Sequence, residues 1–316
     1  MDRPTLGIII PSFNEEKVVE ETSKRLLQVL DEQISQNIIN PESFLYFIDD
    51  GSTDNTWLML TELHKKNSRI KGLKLSRNFG HQNALVGGLL SVRDRVDCVI
   101  SIDADLQQDE LAIPLFLEKY LNGADIVFGI RKDRSTDSIF KKTSSLLYYK
   151  LLSFFGVKSI KNHADYRLIS RKALDAFTHY NEVNLFLRGI FLDLGFKTDY
   201  VYFDVKKRFA GRSKYSIKKM FALALDGVLS FSIVPLRLVT LMGFVISIFS
   251  FIMIIYVLYI LFISKGVIPG WASTVLPIYF LGGIQIMIVG LIGEYIGKIY
   301  KETKARPRFI KDIEIF

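Results

Sequence analysis

Two carboxylates, Asp103 and Asp105, stand one residue apart just after the apolar run Asp97-Cys98-Val99-Ile100-Ser101-Ile102. Such a run reads as a buried strand, and in a strand residues i and i+2 share a face. Both acids are therefore expected to point out of the carboxyl edge of a sheet, where open α/β sheets bind their ligands. Two like charges that close need a cation between them. Mg²⁺ or Mn²⁺ suits, because a hard divalent ion takes oxygen ligands and completes its shell with substrate phosphate. The plainer alternative is that the pair caps a helix over Leu106 to Leu121, and an Asp-x-Asp alone does not decide between the two.

The rest of the N-terminal half supplies the elements that would position such a site. Leu6 to Ile10 is a short apolar strand halted by Pro11, which turns the chain so that Phe13 lies flat against a base. Ser12 to Glu16 then opens a helix to about Gln33, with Asn14 or Ser12 as its cap. A second strand, Phe44 to Ile48, ends in Asp49-Asp50-Gly51-Ser52-Thr53-Asp54-Asn55-Thr56. There Asp49 and Asp50 are placed to accept hydrogen bonds from a uracil or guanine N–H and a ribose hydroxyl, although a plain turn uses the same residue types. After a helix from Trp57 to Lys66, a third strand, Ile70 to Leu75, runs into Ser76-Arg77-Asn78-Phe79-Gly80-His81-Gln82-Asn83 and a helix over Ala84 to Val92. Strand and helix alternate with short links, which predicts a parallel, helix-flanked sheet with its polar strand ends on one side.

Beyond the central strand come Ile126 to Ile130, another strand, and a basic amphipathic stretch from Ile139 to Phe155. Asp165-Tyr166-Arg167 reads as the start of a helical segment, and Asn184 to Phe196 as a helix whose Arg188 faces inward. The chain has 316 residues, a net charge of +8, 49% hydrophobic residues and one cysteine, Cys98. That cysteine count excludes a disulfide framework and a Cys-based metal site. MDRPTLGIII lacks the basic start and long apolar core of a signal peptide.

The hydrophobic excess collects after about residue 230. Leu238 to Ile263 and Ala272 to Ile292 carry no formal charge, and each meets the ~20 residues that cross a bilayer. Lys265 alone is basic in the link. Lys218, Lys219 and Arg237 precede the first span, and Lys298, Lys301, Lys304, Arg306, Arg308 and Lys311 follow the second. The positive-inside rule then places the whole N-terminal domain and both termini in the cytoplasm. The expected organisation is a catalytic domain over 1–215, a juxtamembrane amphipathic helix over 216–235, and a two-helix transmembrane hairpin with a basic tail over 236–316. Two spans scarcely close a bundle alone, which points to a homo-oligomer, with a tetramer as the working number. Lys206 to Tyr215 is densely basic and aromatic, but its place beside the membrane favours a lipid phosphate over nucleic acid.

Pro11-Ser12-Phe13-Asn14-Glu15, Asp49 to Thr56, Ser76 to Ala84 and Asp103-Ala104-Asp105-Leu106-Gln107 together resemble the inverting family-two glycosyltransferases with a GT-A fold. Within them the pattern is most similar to the polyisoprenyl-phosphate glycosyltransferases. The resemblance continues through Asn162 to Arg171, Lys206 to Tyr215 and Gly293 to Phe309, covering essentially the whole chain. It implies an α/β domain of Rossmann-like, mostly parallel sheet. It also implies donor binding by Pro11, Phe13, Glu15, Asp49, Asp50, Ser76, Asn78, Asp103 and Gln107, and metal binding by Asp103, Asp105 and Gln107. Asp165 becomes a candidate base, although it is equally suited to hold an arginine or sugar hydroxyls. Two departures stand out: Gln108-Asp109 replaces a common proline, and His81-Gln82 replaces a basic-then-acidic pair.

The resulting expectation is a metal-dependent transfer of a hexose, glucose from UDP-glucose by first choice, to a polyprenyl phosphate held by Arg131, Arg208, Arg212 and Lys214 at the cytoplasmic membrane. A phosphate monoester has a second pKa near ~6, so the attacking oxygen needs no strong base. Rival readings are a GDP-mannose-dependent mannosyltransferase and a non-catalytic membrane scaffold. A processive synthase lacks support, because no Gln-x-x-Arg-Trp element occurs.

Overall fold

The structure is a computed structural model that describes residues 3–132, 160, 162–183, 187–206, 234–259 and 270–316. The chain divides into two compact units, one comprising 1–150, 158–216 and 306–316, the other 151–157 and 217–305.

The first unit is built on strands β1 (Leu6–Ser12), β2 (Phe44–Asp49), β3 (Ile70–Leu75) and β4 (Cys98–Ser101). Between them run helices α1 (Val19–Ser35), α2 (Thr56–Lys66) and α3 (His81–Val92). Every residue of β1, β2 and β4 is buried, as expected of strands covered on both faces. Then follow α4 (Ile113–Leu121), β5 (Ile126–Arg131), β6 (His163–Ser170), α5 (Arg171–Phe177), α6 (Leu187–Asp193) and β7 (Thr198–Phe203). The sheet order is β7-β5-β6-β4-β1-β2-β3, closed by β8 (Lys311–Ile315) at the β3 edge. Strands β1 to β4 are mutually parallel, and β6 and β8 run against them. Strand β5 is antiparallel to β6, so the carboxyl ends of β1, β2, β3, β4 and β5 all open on one edge.

Several elements depart from the sequence expectation. Pro11 does not halt β1 but pairs with Ile48 inside it. Pairing between β1 and β4 ends at Ile9, and past that point a residue without an N–H forfeits nothing on the β4 side. Asn14 does not cap α1: it has a φ of 55°, which Asn tolerates, and α1 starts at Val19. Asp165 to Arg167 lie in β6 rather than in a helix, because this segment pairs with β4 on one side and β5 on the other and is buried at nearly every position. The C-terminal residues are more than a basic tail. Arg306–Phe316 belongs to the sheet unit; Ser76 N–H donates to Ile310 C=O at 3.0 Å, and Tyr46 hydroxyl donates to Glu314 at 2.6 Å.

The second unit contains α7 (Val234–Tyr259) and α8 (Trp271–Thr303), which contact each other. Segments of both, Val234–Met253 and Phe280–Thr303, are long and apolar enough to cross a membrane. Phe244, Phe249 and Phe251 stay largely exposed among the described residues, a pattern consistent with a helix whose surroundings are themselves apolar. The stretches 139–155 and 216–233, and the link around Lys265, lie outside the described residues.

Candidate functional site

Three loops at the carboxyl edge are sewn together by hydrogen bonds from backbone to side chain. The Asn14 N–H donates to Ser52 Oγ at 2.9 Å, and the Thr53 N–H returns to Asn14 Oδ1 at 2.9 Å. The Glu15 N–H donates to Thr56 Oγ1 at 2.9 Å. Short polar side chains thus weld the Pro11–Glu15 motif to the Asp49–Thr56 motif, which follow different strands. Asp50, nearly buried, accepts from the Phe79 N–H at 2.7 Å and the Gly80 N–H at 2.9 Å. Its two oxygens therefore hold the loop that carries Ser76 and Asn78, both exposed, and this is what the structure shows for Asp50. Gly51 has a φ of +66°, and a Cβ there would stand 2.4 Å from the Arg77 carbonyl carbon, so only glycine lets the two loops approach.

Asp49 differs from its neighbour. It is fully buried; Oδ1 accepts from the Ser52 N–H at 3.2 Å, while Oδ2 is buried without a hydrogen-bond partner. Burial pushes its carboxyl above the usual range, against the Ser52 bonds. A buried acceptor left unmatched is costly, and a ligand N–H would satisfy it. Phe13 and Glu15 lie half-buried in the same group of loops, with Pro11 buried in β1 behind them.

On the other side of β1, β4 stops at Ser101, so the alternation expected of Asp103 and Asp105 does not apply. The chain turns instead, with Leu106 at a φ of 58°. Asp103 keeps 33% of its side chain exposed, whereas Asp105 is buried and accepts from the Gln107 N–H at 3.0 Å. Capping is done by Asp109, which accepts from the Leu111 N–H at 3.2 Å, and α4 begins only at Ile113. Gln108 fixes Asp103: its Nε2 donates to Asp103 Oδ2 at 2.7 Å and its Oε1 accepts from the Asp103 N–H at 3.1 Å. His81 Nε2 lies 3.0 Å from Asp103 Oδ1. Burial opposes a charge on His81, but the hydrogen bond and charge of Asp103, with Asp165, push its pKa up to about 9, against Arg188.

Strand β6 brings a second ionic group to this edge. Asp165 Oδ1 accepts from Arg167 Nη2 and from Arg188 Nε at 3.2 Å, and Oδ2 accepts from Arg188 Nη2 at 2.9 Å. Arg167 is fully buried, with its guanidinium 5.0 Å from the Phe191 ring centre. Arg188 remains 36% exposed. At the end of β5, Arg131 is half-buried and its Nε lacks a hydrogen-bond partner. Arg208, Arg212 and Lys214 lie outside the described residues.

The structure therefore gathers the donor-side candidates around β1, β2 and β3, and Asp103, Asp105, Gln107 and Asp165 around β4 and β6. His81, Gln108, Arg167 and Arg188 were not among the sequence candidates for the site. His81 and Gln108 sit where the chain departs from the family pattern, the one signal that pointed to them. No cluster of three or more His, Cys, Asp or Glu that would hold a metal occurs among the described residues. Asp103 nevertheless fits a hard divalent cation. It offers carboxylate oxygens and is reachable, and of its about four lone-pair sites His81 and Gln108 occupy one on each oxygen.

The sequence pattern described as glycosyl transferase family 2 matches residues 7–178, more than half of the chain. The uncharacterized glycosyltransferase YkoT of Bacillus subtilis (strain 168) is 46% identical over 317 residues, 99% of this chain and 93% of that one. The bactoprenol glucosyl transferase of Shigella phage SfX is 36% identical over 306 residues, 96% of this chain and 98% of that one. Among solved structures, glucosyl-3-phosphoglycerate synthase from Mycobacterium tuberculosis, in complex with Mn²⁺, UDP and glucosyl-3-phosphoglycerate, aligns with a TM-score of 0.46 at 17% identity, covering 72% of this chain and 78% of that one. The matched residues contain the welded loops and the Asp103 turn, and the chain belongs to the family 2 glycosyl transferases, with the GT-A type of α/β fold.

Proposed function

We propose that this protein is an inverting glycosyltransferase that moves a hexose, glucose from UDP-glucose by first choice, onto polyprenyl phosphate at the cytoplasmic face of a membrane. The observation that carries the reading is the match along nearly the whole chain, membrane-length helices included, to bactoprenol glucosyl transferases. The unmatched, buried oxygen of Asp49 suits a base N–H, and Phe13 lies in the adjoining loop. Asp50 keeps Phe79 and Gly80 in place beside it.

Asp103, with Asp105 and Gln107 shaping its turn, would hold Mg²⁺ or Mn²⁺. When bound, such an ion neutralises the diphosphate and stabilises its departure as a Lewis acid. His81 and Gln108 hold the Asp103 carboxylate in one orientation. An oxygen of the acceptor phosphate forms a bond to the anomeric carbon on the face opposite the leaving group. The bond from that carbon to the nucleoside diphosphate breaks, and its electron pair leaves with the diphosphate, which inverts the centre. The acceptor oxygen is already largely unprotonated at neutral pH. Arg131, with Arg208, Arg212 and Lys214, is proposed to hold the acceptor phosphate, guanidinium forks being matched to phosphate.

The test is to incubate the purified full chain with Mg²⁺ or Mn²⁺, a short polyprenyl phosphate and a panel of UDP- and GDP-sugars, then look for lipid-linked sugar. A product from UDP-glucose supports the reading. A product only from GDP-mannose moves it to the mannosyl alternative, and no product with any donor overturns it.

A further inference from the structure

We propose that Arg188 binds a phosphate of the transfer reaction, and that Asp165 is the residue that positions it rather than a proton acceptor. The inference rests on the glycosyl-transfer reading above and adds a residue and a role to it.

Placement comes first. The antiparallel register of β4 and β6 pairs Cys98 with Ser170, Val99 with Ile169, Ile100 with Leu168 and Ser101 with Arg167. The strand pairing ends there, and His81, which touches Asp103, also lies within reach of the Asp165 charge. Ser101 Oγ donates to the Asp165 carbonyl at 2.9 Å, which holds the strands together at this point. Helix α6, which carries Arg188, is tied to the same edge, because the Leu187 N–H donates to Gln82 Oε1 at 3.4 Å. Its neighbour His81 touches Asp103. The two residues of α3 that depart from the family pattern thus reach one to the Asp103 turn and one to the start of α6.

The lone pairs of Asp165 come next. Three hydrogen bonds from guanidiniums fall on its two oxygens, two of them the forked pair from Arg188. A carboxylate has about four lone-pair sites, so most are committed to the arginines. Burial alone would raise its pKa, but Arg188 and Arg167 outweigh burial and hold it well below the ordinary carboxylate range. A general base works best with a pKa near the operating pH, and this carboxylate is far from that. A forked pair is instead how a guanidinium plane is locked.

Charge completes the argument. The Asp165 carboxylate is shared by two guanidiniums, those of Arg167 and Arg188. Arg167 is fully buried, whereas Arg188 shows a third of its side chain. Among the residues of this ionic group, it is the exposed permanent cation. A phosphate oxyanion is the ligand chemistry it fits, whether from the donor diphosphate or the acceptor monophosphate.

The experiment uses the full chain with Arg188→Gln, Arg188→Lys, Asp165→Asn and the double variant Asp165→Asn/Arg188→Gln. Calorimetric titration with UDP plus Mn²⁺ and with a short polyprenyl phosphate reads binding without turnover, and kcat, KM and pH profiles read transfer. Arg188→Gln is expected to keep the wild-type thermal midpoint, to weaken one titration about tenfold or more, and to lower kcat by about 10²–10³, with Arg188→Lys intermediate. A weakened UDP titration assigns the donor diphosphate; a weakened lipid titration assigns the acceptor. Asp165→Asn, which also leaves the fully buried Arg167 without its counter-charge, is expected to retain the shape of the pH profile, and the double variant to be no worse than the more impaired of the two single variants. Unchanged titrations and kcat in Arg188→Gln overturn the role of Arg188. Asp165→Asn losing the acidic limb of the profile while Arg188→Gln remains active overturns the positioning role. If the wild type makes no glycolipid, the functional reading fails, and the two titrations still decide whether Arg188 holds phosphate.

Discussion

The edge of the sheet has two halves, held together by different forces. Around β1, β2 and β3 the joints run from backbone N–H to a short polar side chain: Asn14 with Ser52 and Thr53, Glu15 with Thr56, Asp50 with Phe79 and Gly80. Around β4 and β6, besides a few backbone bonds such as Asp103 N–H to Gln108, ionic and polar side chains meet directly, joining Asp103 to His81 and Gln108, and Asp165 to Arg167 and Arg188. The first half fixes the shape of loops. The second fixes the direction of charges, which is what the proposed reaction, with its departing diphosphate, requires. Damage to the first should appear as lost stability, and damage to the second as lost turnover.

The sharpest way to break the comparison is at Asp103. On the proposed function, Asp103→Ala is expected to lower transfer by about 10³ or more, in line with losing a preorganised charge at the reacting centre, and to make the proposed UDP binding insensitive to Mn²⁺. Asp103 is a third exposed, and its removal deprives the buried Gln108 amide of one partner, so the thermal midpoint should fall less than when Asp50 is replaced. A variant that transfers normally would mean that the charged half is scaffold after all.

The matching experiment on the other half is Asp50→Ala. It strands the Phe79 and Gly80 N–H groups, and each buried unsatisfied group costs about 1–3 kcal/mol. The thermal midpoint should drop, the KM for donor should rise, and kcat at saturating donor should change far less than in Asp103→Ala. Gly51→Ala should act alike, since its Cβ would meet the Arg77 backbone at 2.4 Å; overpacking of that kind costs about 1–3 kcal/mol. Were either variant to lose kcat without losing stability, the division between the halves would fail.

The same division explains what the sequence could and could not reveal. Runs such as Phe44–Ile48 and Ile70–Leu75 announce strands because they are buried and bounded by turn residues, and the observed β2 and β3 match them almost residue for residue. The joints of the first half lie inside short motifs whose Asp, Ser, Thr and Gly types are those of turns, so the loops are legible even though Asn14 is not the cap its type suggests. The second half is assembled from residues as far apart as His81 and Arg188. No local pattern shows that Gln108 would hold Asp103, or that Arg188 would fork onto Asp165. Charged residues within His163–Ser170 looked like a helix start because the pairing with β4 and β5 that makes them a strand is a long-range fact. Strand β8 is hidden for a similar reason: three of the five residues of Lys311 to Ile315 are charged, and only docking on the open edge of β3 makes it a strand.

The smallest expected effect separates the halves by pH. His163 is nearly buried beside Phe128, with neither ring nitrogen hydrogen-bonded. Burial, and then the charges of Arg167 and Arg188, hold its pKa well below the usual value, so the folded protein keeps it neutral. The unfolded chain binds a proton there below about 6.5. As pH falls through that value, unfolding takes up a proton that folding excludes, and stability declines by at most about 1.4 kcal/mol per pH unit. Asp49 has the opposite sign: burial raises its folded pKa, so from about pH 4 up to that raised value stability falls as pH rises. Asp165, whose pKa is lowered, adds nothing until pH drops below about 4. His163→Phe leaves no polar group stranded, since neither ring nitrogen has a partner to lose. Thermal midpoints measured between pH 7 and pH 5 should therefore fall more steeply for the wild type than for His163→Phe, whereas parallel curves would mean that the imidazole beside the arginines is not kept neutral.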